Sequence, residues 1–192
     1  MSYEIYSVDG IILGAHDRSA DDKVLIVLTE RFGKIAVVGK SLRKLSSKLR
    51  MGAAEHTLAR MSLIRGRNVW RLTDIVTLQT PDPKRRKEYA RLSWIASAIT
   101  IYDEPVSGIY IPLSEFFKLT VGKADHGPET RTALESWTSA RMLYAAGFLP
   151  KMSETIERLM RLPLEEIDVQ TILGAEFAVT AAVKVATGHI GR

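Results

Sequence analysis

Gly39-Lys40-Ser41 has the composition of the last three residues of a nucleotide-phosphate loop. It opens into a stretch, Val37 to Gly52, that holds Lys40, Arg43, Lys44, Lys48 and Arg50 and no carboxylate. Two chemistries compete for these residues: a cradle for a nucleotide and a strip for the phosphates of a nucleic acid. The cradle requires a glycine, four residues and then Gly-Lys-Ser/Thr, with a helix following so that its N-terminus meets the phosphates. Here five residues separate Gly33 from Gly39, and those five, Lys34 to Val38, read as a β-branched strand rather than a loop that could wrap phosphate. The nucleotide cradle is therefore set aside.

The phosphate strip asks for less exact geometry and finds more support. Between Arg31 and Arg71 there are eleven Lys/Arg residues against one acid, Glu55, whereas Pro81 to Arg192 carries fourteen of each sign. The net charge of +5 thus comes from one segment. Such an asymmetry marks a polyanion-binding surface, because phosphate contacts supply most non-specific nucleic-acid affinity. The candidate contacts are Lys34, Lys40, Arg43, Lys44, Lys48, Arg50, Arg65, Arg67 and Arg71, with Ser41, Ser46 and Ser47 interleaved as hydroxyl donors. The competing readings are a solvated basic face with no partner and an adaptor whose basic strip docks an acidic protein tail without touching DNA.

Other chemistry is poorly supplied. Ser41-x-x-Lys44 matches a pattern of some acyl-transfer enzymes, but its companion motifs are absent. His16, His56, His126 and His189 fit no metal-ligand spacing and read as surface or turn residues. Asp17, Asp21 and Asp22 lack the spacing of a calcium loop and read as loop solvation or capping. There is no cysteine, which removes disulfides, thiol catalysis and cysteine-ligated metals and fits a reducing cytoplasm. No catalytic residue, cofactor or metal is expected. The apolar runs are too short to span a bilayer, and the N-terminus lacks the design of a signal peptide, so neither membrane nor export is expected.

The first eighty residues must position the strip, and they read as five strands: "SVDGIILGAH", "KVLIVLTE", "KIAVVGK", "HTLARMSLIRG" and "NVWRLTDIVTL". Gly33 is suited to the positive φ of a turn, and Arg65 to Asn68 to a short hairpin. Alternation in the last strand places Val69 and Leu72 or its neighbours inward and Arg67 and Arg71 on a shared outward face. Trp70 is expected in the core, with an exposed stacking face as the alternative. Five antiparallel strands in so short a span most naturally close into an OB-fold barrel, residues 1–80.

Pro81 and Pro83 then break the strand grammar. Residues 81–192 read as an all-α domain, giving an α+β two-domain chain. Tyr89, Leu92, Ala96, Ile99 and Tyr102 share one helical spacing, and Leu134, Trp137, Arg141 and Tyr144 another. Further helices are expected in "IPLSEFFKLTVG", in "SETIERLMRL" with Ser153 as N-cap, and from Val169 onward, with Gly147 as a helix stop. The basic start of the helical half, Lys84 to Lys87, extends the strip.

In order, these elements resemble the recombination-mediator family RecO. The resemblance rests on Leu28, Thr29, Gly33 and Lys34 in a hairpin, then Lys40, Arg43, Ser47 and Lys48. It continues with an apolar helix ending in Gly147-Phe148-x-Pro150 and closes on the "GHIGR" end. There are departures. Many members have glycine where this chain has Ser41, and an acid where it has Ala20. Many carry a four-cysteine zinc site after the Gly-aromatic-x-Pro segment, where "KMSETIERLM" has none. A zinc-free helical domain must rely on its own core, for which Trp137, Tyr144, Phe148, Leu159 and Phe177 are the expected members. The resemblance implies a non-enzymatic DNA repair protein that binds single- and double-stranded DNA, anneals complementary strands and helps load recombinase. It implies RecR, the single-strand-binding protein and RecA as partners, and a cytoplasmic, nucleoid-associated location. From the charge distribution alone follow only the binding step and the easing of repulsion between two strands.

Overall fold

A computed structural model describes residues 4–67, 69–120, 127–149 and 151–190. Asn68, His126, Pro150, Gly191 and Arg192, and the side chains of Phe177 and His189, all named above, lie outside the described residues.

Five strands, β1 (Ile5–Asp17), β2 (Lys23–Thr29), β3 (Gly33–Gly39), β4 (Leu58–Arg65) and β5 (Trp70–Gln79), form a closed barrel in the order β1-β2-β3-β5-β4. β1 closes it. Its first half pairs with β4, from Ile5 opposite Ile64 to Ile11 opposite Leu58. Its second half pairs with β2 out to Asp17 opposite Lys23, with an irregularity between Ile12 and Gly14. A bulge of that kind bends a strand, which lets β1 belong to both neighbours. β3 meets β5 in parallel at Val37–Trp70 and Val38–Arg71, and the other pairings between barrel strands are antiparallel.

The β2–β3 turn is built around Thr29 and Gly33. The Thr29 hydroxyl accepts from the Phe32 amide at 3.0 Å and donates to the Gly33 carbonyl at 3.1 Å. Gly33 has φ +66, and a Cβ there would overlap the Glu104 carbonyl, so a side chain is doubly excluded.

Each strand has an inner and an outer face, and in β1 to β3 both are covered. Val8, Ile12, Leu25, Val27, Ile35, Val37, Met61, Leu63, Trp70 and Leu72 fill the barrel. Ile11, Leu13, Leu28 and Leu58 face outward and join the core of the helices. Double coverage explains why "GIIL" and "VLIVL" are continuous apolar runs rather than alternating ones. In β5 the inward residues are Trp70 and Leu72. The strand starts at Trp70, so Arg67 lies ahead of it in the β4–β5 hairpin and does not share a strand face with Arg71 as alternation had led us to expect.

The helical half comprises α1 (Arg86–Ile99), α2 (Ser107–Thr120), α3 (Pro128–Ala145), α4 (Glu154–Met160) and α5 (Val169–Ile190). A 3-10 turn at Pro83–Arg85 precedes α1, its start capped by the Asp82 carboxylate, which accepts from the Lys84 amide at 2.9 Å. α3 ends in a Schellman motif: Gly147, at φ +76, donates to the Tyr144 carbonyl, and Phe148 donates to the Leu143 carbonyl. Ser153 caps α4 by accepting from the Ile156 amide. Trp137 is fully buried among Tyr89, Phe116, Phe117, Leu92 and Leu113, while Tyr144 and Leu159 pack at the edge of this core. Phe148 is not a core residue. It is 47% exposed, because the left-handed turn at Gly147 carries the chain away from the helix axis. Tyr102 also lies outside α1, which ends at Ile99.

Buried ion pairs supplement the apolar core. Arg141 is 5% exposed; its Nη1 reaches Glu115 at 2.5 Å and its Nε donates to the Met160 carbonyl at 3.0 Å. Glu115 also accepts from the Leu164 amide at 3.0 Å, so one carboxylate and one guanidinium tie α2, α3 and the chain after α4 together. Glu135, paired with Arg91 at 3.0 Å, has its pKa raised by burial, against the lowering effect of Arg91.

Candidate nucleic-acid interface

The connection between β3 and β4 carries most of the candidate cations, and its fold follows from its alternation of apolar and basic residues. Four successive tight turns run along it, with amides of Lys44, Ser47, Arg50 and Ala53 donating to carbonyls of Ser41, Lys44, Ser47 and Arg50. Leu42 is buried in the barrel core, with Leu49 and Ala53 packed against that core. The segment is thus a plug for the barrel rather than a free loop. Lys40, Arg43, Lys44, Lys48 and Arg50 all stand on its exposed side. Leu45 and Met51 stand there too, 89% and 86% exposed.

The β1–β2 turn holds the plug in place. The Asp22 carboxylate accepts from the Ser41 amide at 2.9 Å, and the Asp21 carbonyl accepts from the Arg43 amide at 3.0 Å. Asp17 lies 3.3 Å from Arg43, and Asp21 lies 3.0 Å from Lys44. The three aspartates therefore do more than solvate a loop: they anchor the strip and partly neutralise two of its five cations. Lys40, Lys48 and Arg50 make no ion pair among the described residues.

Arg71 links this plug to the β4–β5 hairpin. It lies beside Val38, two residues before Lys40, and opposite Ile64, one residue before Arg65. Arg65 and Arg67 are exposed and line a cleft that also includes Tyr102 and Asp103. The Arg65 guanidinium lies over the Trp70 ring, 5.4 Å from its centroid. Trp70 itself is a core residue, packed against Tyr6 and Phe32, so it offers no stacking platform.

Lys34 does not stand on this surface. It points outward from β3, but α1 and the chain after it cover that face, leaving it 7% exposed. Its ammonium donates to the Ser97 carbonyl at 2.7 Å and lies 4.6 Å from the Tyr102 ring centroid, and burial lowers its pKa. In the basic start of the helical half, Arg85 likewise turns inward, bound to Glu88 at 2.6 Å and lying over Phe116, while Lys84, Arg86 and Lys87 remain exposed. Arg31, counted in the basic segment but not among the nine candidate contacts, stands in the β2–β3 turn. Its guanidinium lies 5.0 Å from the Phe32 ring centroid and 5.7 Å from that of Tyr6.

Lys34 to Val38 lie in β3, which leaves no phosphate-wrapping loop before Gly39-Lys40-Ser41. His56 is a turn residue at φ +60, with its Nδ1 3.0 Å from the Ser93 hydroxyl of α1 and its pKa lowered by burial. Among the described residues no group of three or more His, Asp or Glu side chains could hold a metal, and no helix is long and apolar enough to cross a membrane.

The chain is similar to DNA repair proteins named RecO. It is 24% identical over 148 residues to RecO of Moorella thermoacetica, covering 77% of this chain and 55% of that protein. It is 24% identical over 157 residues to RecO of Thermobifida fusca, covering 78% and 63%. With RecO of Pelotomaculum thermopropionicum the figures are 25% over 125 residues, 62% and 48%. The chain therefore spans roughly half to three-fifths of the length of these RecO relatives. No protein-family model matches it. Ser41, at the start of the plug, has φ +55, the left-handed conformation that glycine adopts at least cost.

Proposed function

We propose that this chain is a DNA-binding recombination mediator in DNA repair, with an OB-fold barrel at residues 1–80 as its DNA-binding part and the helices of 81–192 as its protein-docking part. The strand order with a long shared β1 supports the OB-fold reading. The observation that carries the function is the plugged connection that turns Lys40, Arg43, Lys44, Lys48 and Arg50 outward while Leu42, Leu49 and Ala53 seat it on the barrel core. Lysine and arginine so placed neutralise phosphates and release counterions. Arg71, Arg65 and Arg67 continue the path, and Lys34, held by Ser97, is left out of it. Two strands drawn to one basic surface repel each other less, which is the physical basis for annealing without bond chemistry. Similarity to RecO supports single- and double-stranded DNA as ligands. By the same resemblance RecR, the single-strand-binding protein and RecA are the partners, in a cytoplasmic, nucleoid-associated setting.

Fluorescence anisotropy with labelled oligonucleotides across a salt series tests this. Alanine at Lys40, Lys48 and Arg50 together should weaken binding and flatten the slope of log K against log salt by about two to three charges. Alanine at Arg43 and Lys44 should cost less per residue, since Asp17 and Asp21 already neutralise them in part. An unchanged slope in the triple variant refutes the assignment. Leu45 and Met51, exposed among the cations, favour a second reading in which the strip docks an acidic, partly apolar protein tail. Competition between an oligonucleotide and an acidic peptide separates the two.

A further inference from the structure

The cleft beside the β4–β5 hairpin has features that a phosphate strip does not need. It measures about 340 Å³ and lies between the hairpin, the outer face of β3 and the 101–104 segment. Tyr102 forms one wall and is 48% exposed, yet its place is fixed. The residue pairs in parallel with Lys34 of β3, the neighbouring Asp103 amide donates to the Lys34 carbonyl at 2.9 Å, and the Lys34 ammonium lies 4.6 Å from the ring centroid. The contact with Lys34 fixes the ring from one side, and nearly half of the residue's surface is left open beside the cleft. Asp103 has φ +59, a strained conformation for a residue other than glycine, of the kind that collects at binding sites.

The rest of the cleft matches one kind of ligand. Ala36 leaves its β3 floor low, between the larger neighbours Ile35 and Val37, which turn into the barrel. Arg65 and Arg67 supply two guanidinium groups on the hairpin side, and the Trp70 ring beneath Arg65 orients the first of them. Asp103 supplies a single carboxylate close to the tyrosine. A flat ring for stacking, cations for phosphate and a carboxylate to accept from a ring N–H or amino group together describe one nucleotide.

We infer that this cleft is a subsite for one unstacked base of single-stranded DNA, with the base on the Tyr102 ring and its flanking phosphates on Arg65 and Arg67. The inference rests on the DNA-binding function proposed above and adds a strand-selective element to it. A paired base already has neighbours on both faces and cannot stack on Tyr102 without leaving the duplex. The basic plug binds either form by charge, whereas the cleft recognises only the unpaired one.

Anisotropy with a fluorescein-labelled single-stranded oligonucleotide and its duplex, applied to wild type, Tyr102→Phe and Tyr102→Ala, tests this. Tyr102→Ala should weaken single-strand binding about tenfold and leave duplex binding unchanged. The salt slope should also stay unchanged, because no charge is removed. Tyr102→Phe should bind as wild type. With 2-aminopurine in the single strand, emission should be quenched by wild type and by Tyr102→Phe but not by Tyr102→Ala. Equal losses on both DNA forms, no loss on either, or quenching that persists in Tyr102→Ala would overturn the subsite while leaving the basic plug standing. Wild type that binds neither DNA form would refute the DNA-binding function itself, and the subsite with it. Should Tyr102→Ala fail to fold, Arg67→Ala, at an exposed hairpin position, serves in its place. It should weaken single-strand binding more than duplex binding, and equal losses would count against the subsite.

Discussion

Ser41 concentrates the tension between local backbone geometry and the strip it begins. At φ +55 its Cβ is crowded against its own backbone, a penalty of about 1–2 kcal/mol for a residue with a side chain, yet its amide must reach the Asp22 carboxylate to seat the plug. No hydrogen bond from its hydroxyl offsets that penalty among the described residues. Ser41→Gly should therefore stabilise the protein by about 1 kcal/mol, less the extra freedom glycine brings to the unfolded chain, and should raise the melting temperature by a few degrees. Calorimetry of the two proteins checks it, and a lower melting temperature in the variant would mean that the hydroxyl has a role that its surroundings do not reveal. DNA binding should not change, because Lys40 and Arg43 keep their backbone positions. Lys34 presents the reverse case. Its type and its place in "GKIAVVG" read as part of the basic surface, but its ammonium is bound to a helix carbonyl, so charge in the sequence did not report charge at the surface.

At the level of elements, the helical half contains no cysteine and has a buried ion pair at the meeting of its helices. Arg141 and Glu115 join α2, α3 and the chain beyond α4 through one cluster of charge-assisted bonds. Removing one member of such a pair strands the other in a low-dielectric interior, a loss of about 3–5 kcal/mol, whereas replacing both with apolar residues restores much of it. Arg141→Met should accordingly lower the urea midpoint sharply, and Arg141→Met combined with Glu115→Leu should recover a large part of the difference. Additive losses in the double variant would contradict the pairing. The strands and helices themselves were legible, since β-branched runs, the Ser153 cap and the Gly147 stop all act locally. The buried charges were not. Arg141 occupies an apolar position of α3 because its partner lies 26 residues away on another helix, and no local period encodes that. The same holds for Lys34 and Arg85: alternation tells which strand face points out, but not which outward faces the helices cover.

For the whole molecule, the division suggested by Pro81 and Pro83 meets an apolar core that ignores it. Ile11, Leu13, Leu28 and Leu58 of the barrel are counted in the same buried cluster as Tyr89, Leu92 and Trp137 of the helices. Polar ties cross the same junction, from Lys34 to Ser97, from His56 to Ser93 and from Asp103 back to Lys34. Domains joined only by a linker unfold separately, whereas elements sharing one core lose their packing together. The barrel and the helices should therefore unfold in a single cooperative transition. Helical circular dichroism and the emission of Trp70, the barrel's tryptophan, should follow coincident urea curves, with Trp94 and Trp137 replaced by phenylalanine to isolate that signal. Ile11→Ala, which opens a cavity on the barrel side of the junction, should shift both curves equally by about 2–5 kcal/mol. Two separated transitions, or a shift confined to the Trp70 signal, would show that the barrel stands alone. Coincidence would mean that the 101–104 segment, zipped to β3 and bearing Tyr102, keeps its place beside Arg65 and Arg67 only while both halves are folded. A chain cut after residue 80 should then fail to fold, because Ile11, Leu13, Leu28 and Leu58 would lose the helical side of their core, and its Trp70 emission should show no cooperative urea transition.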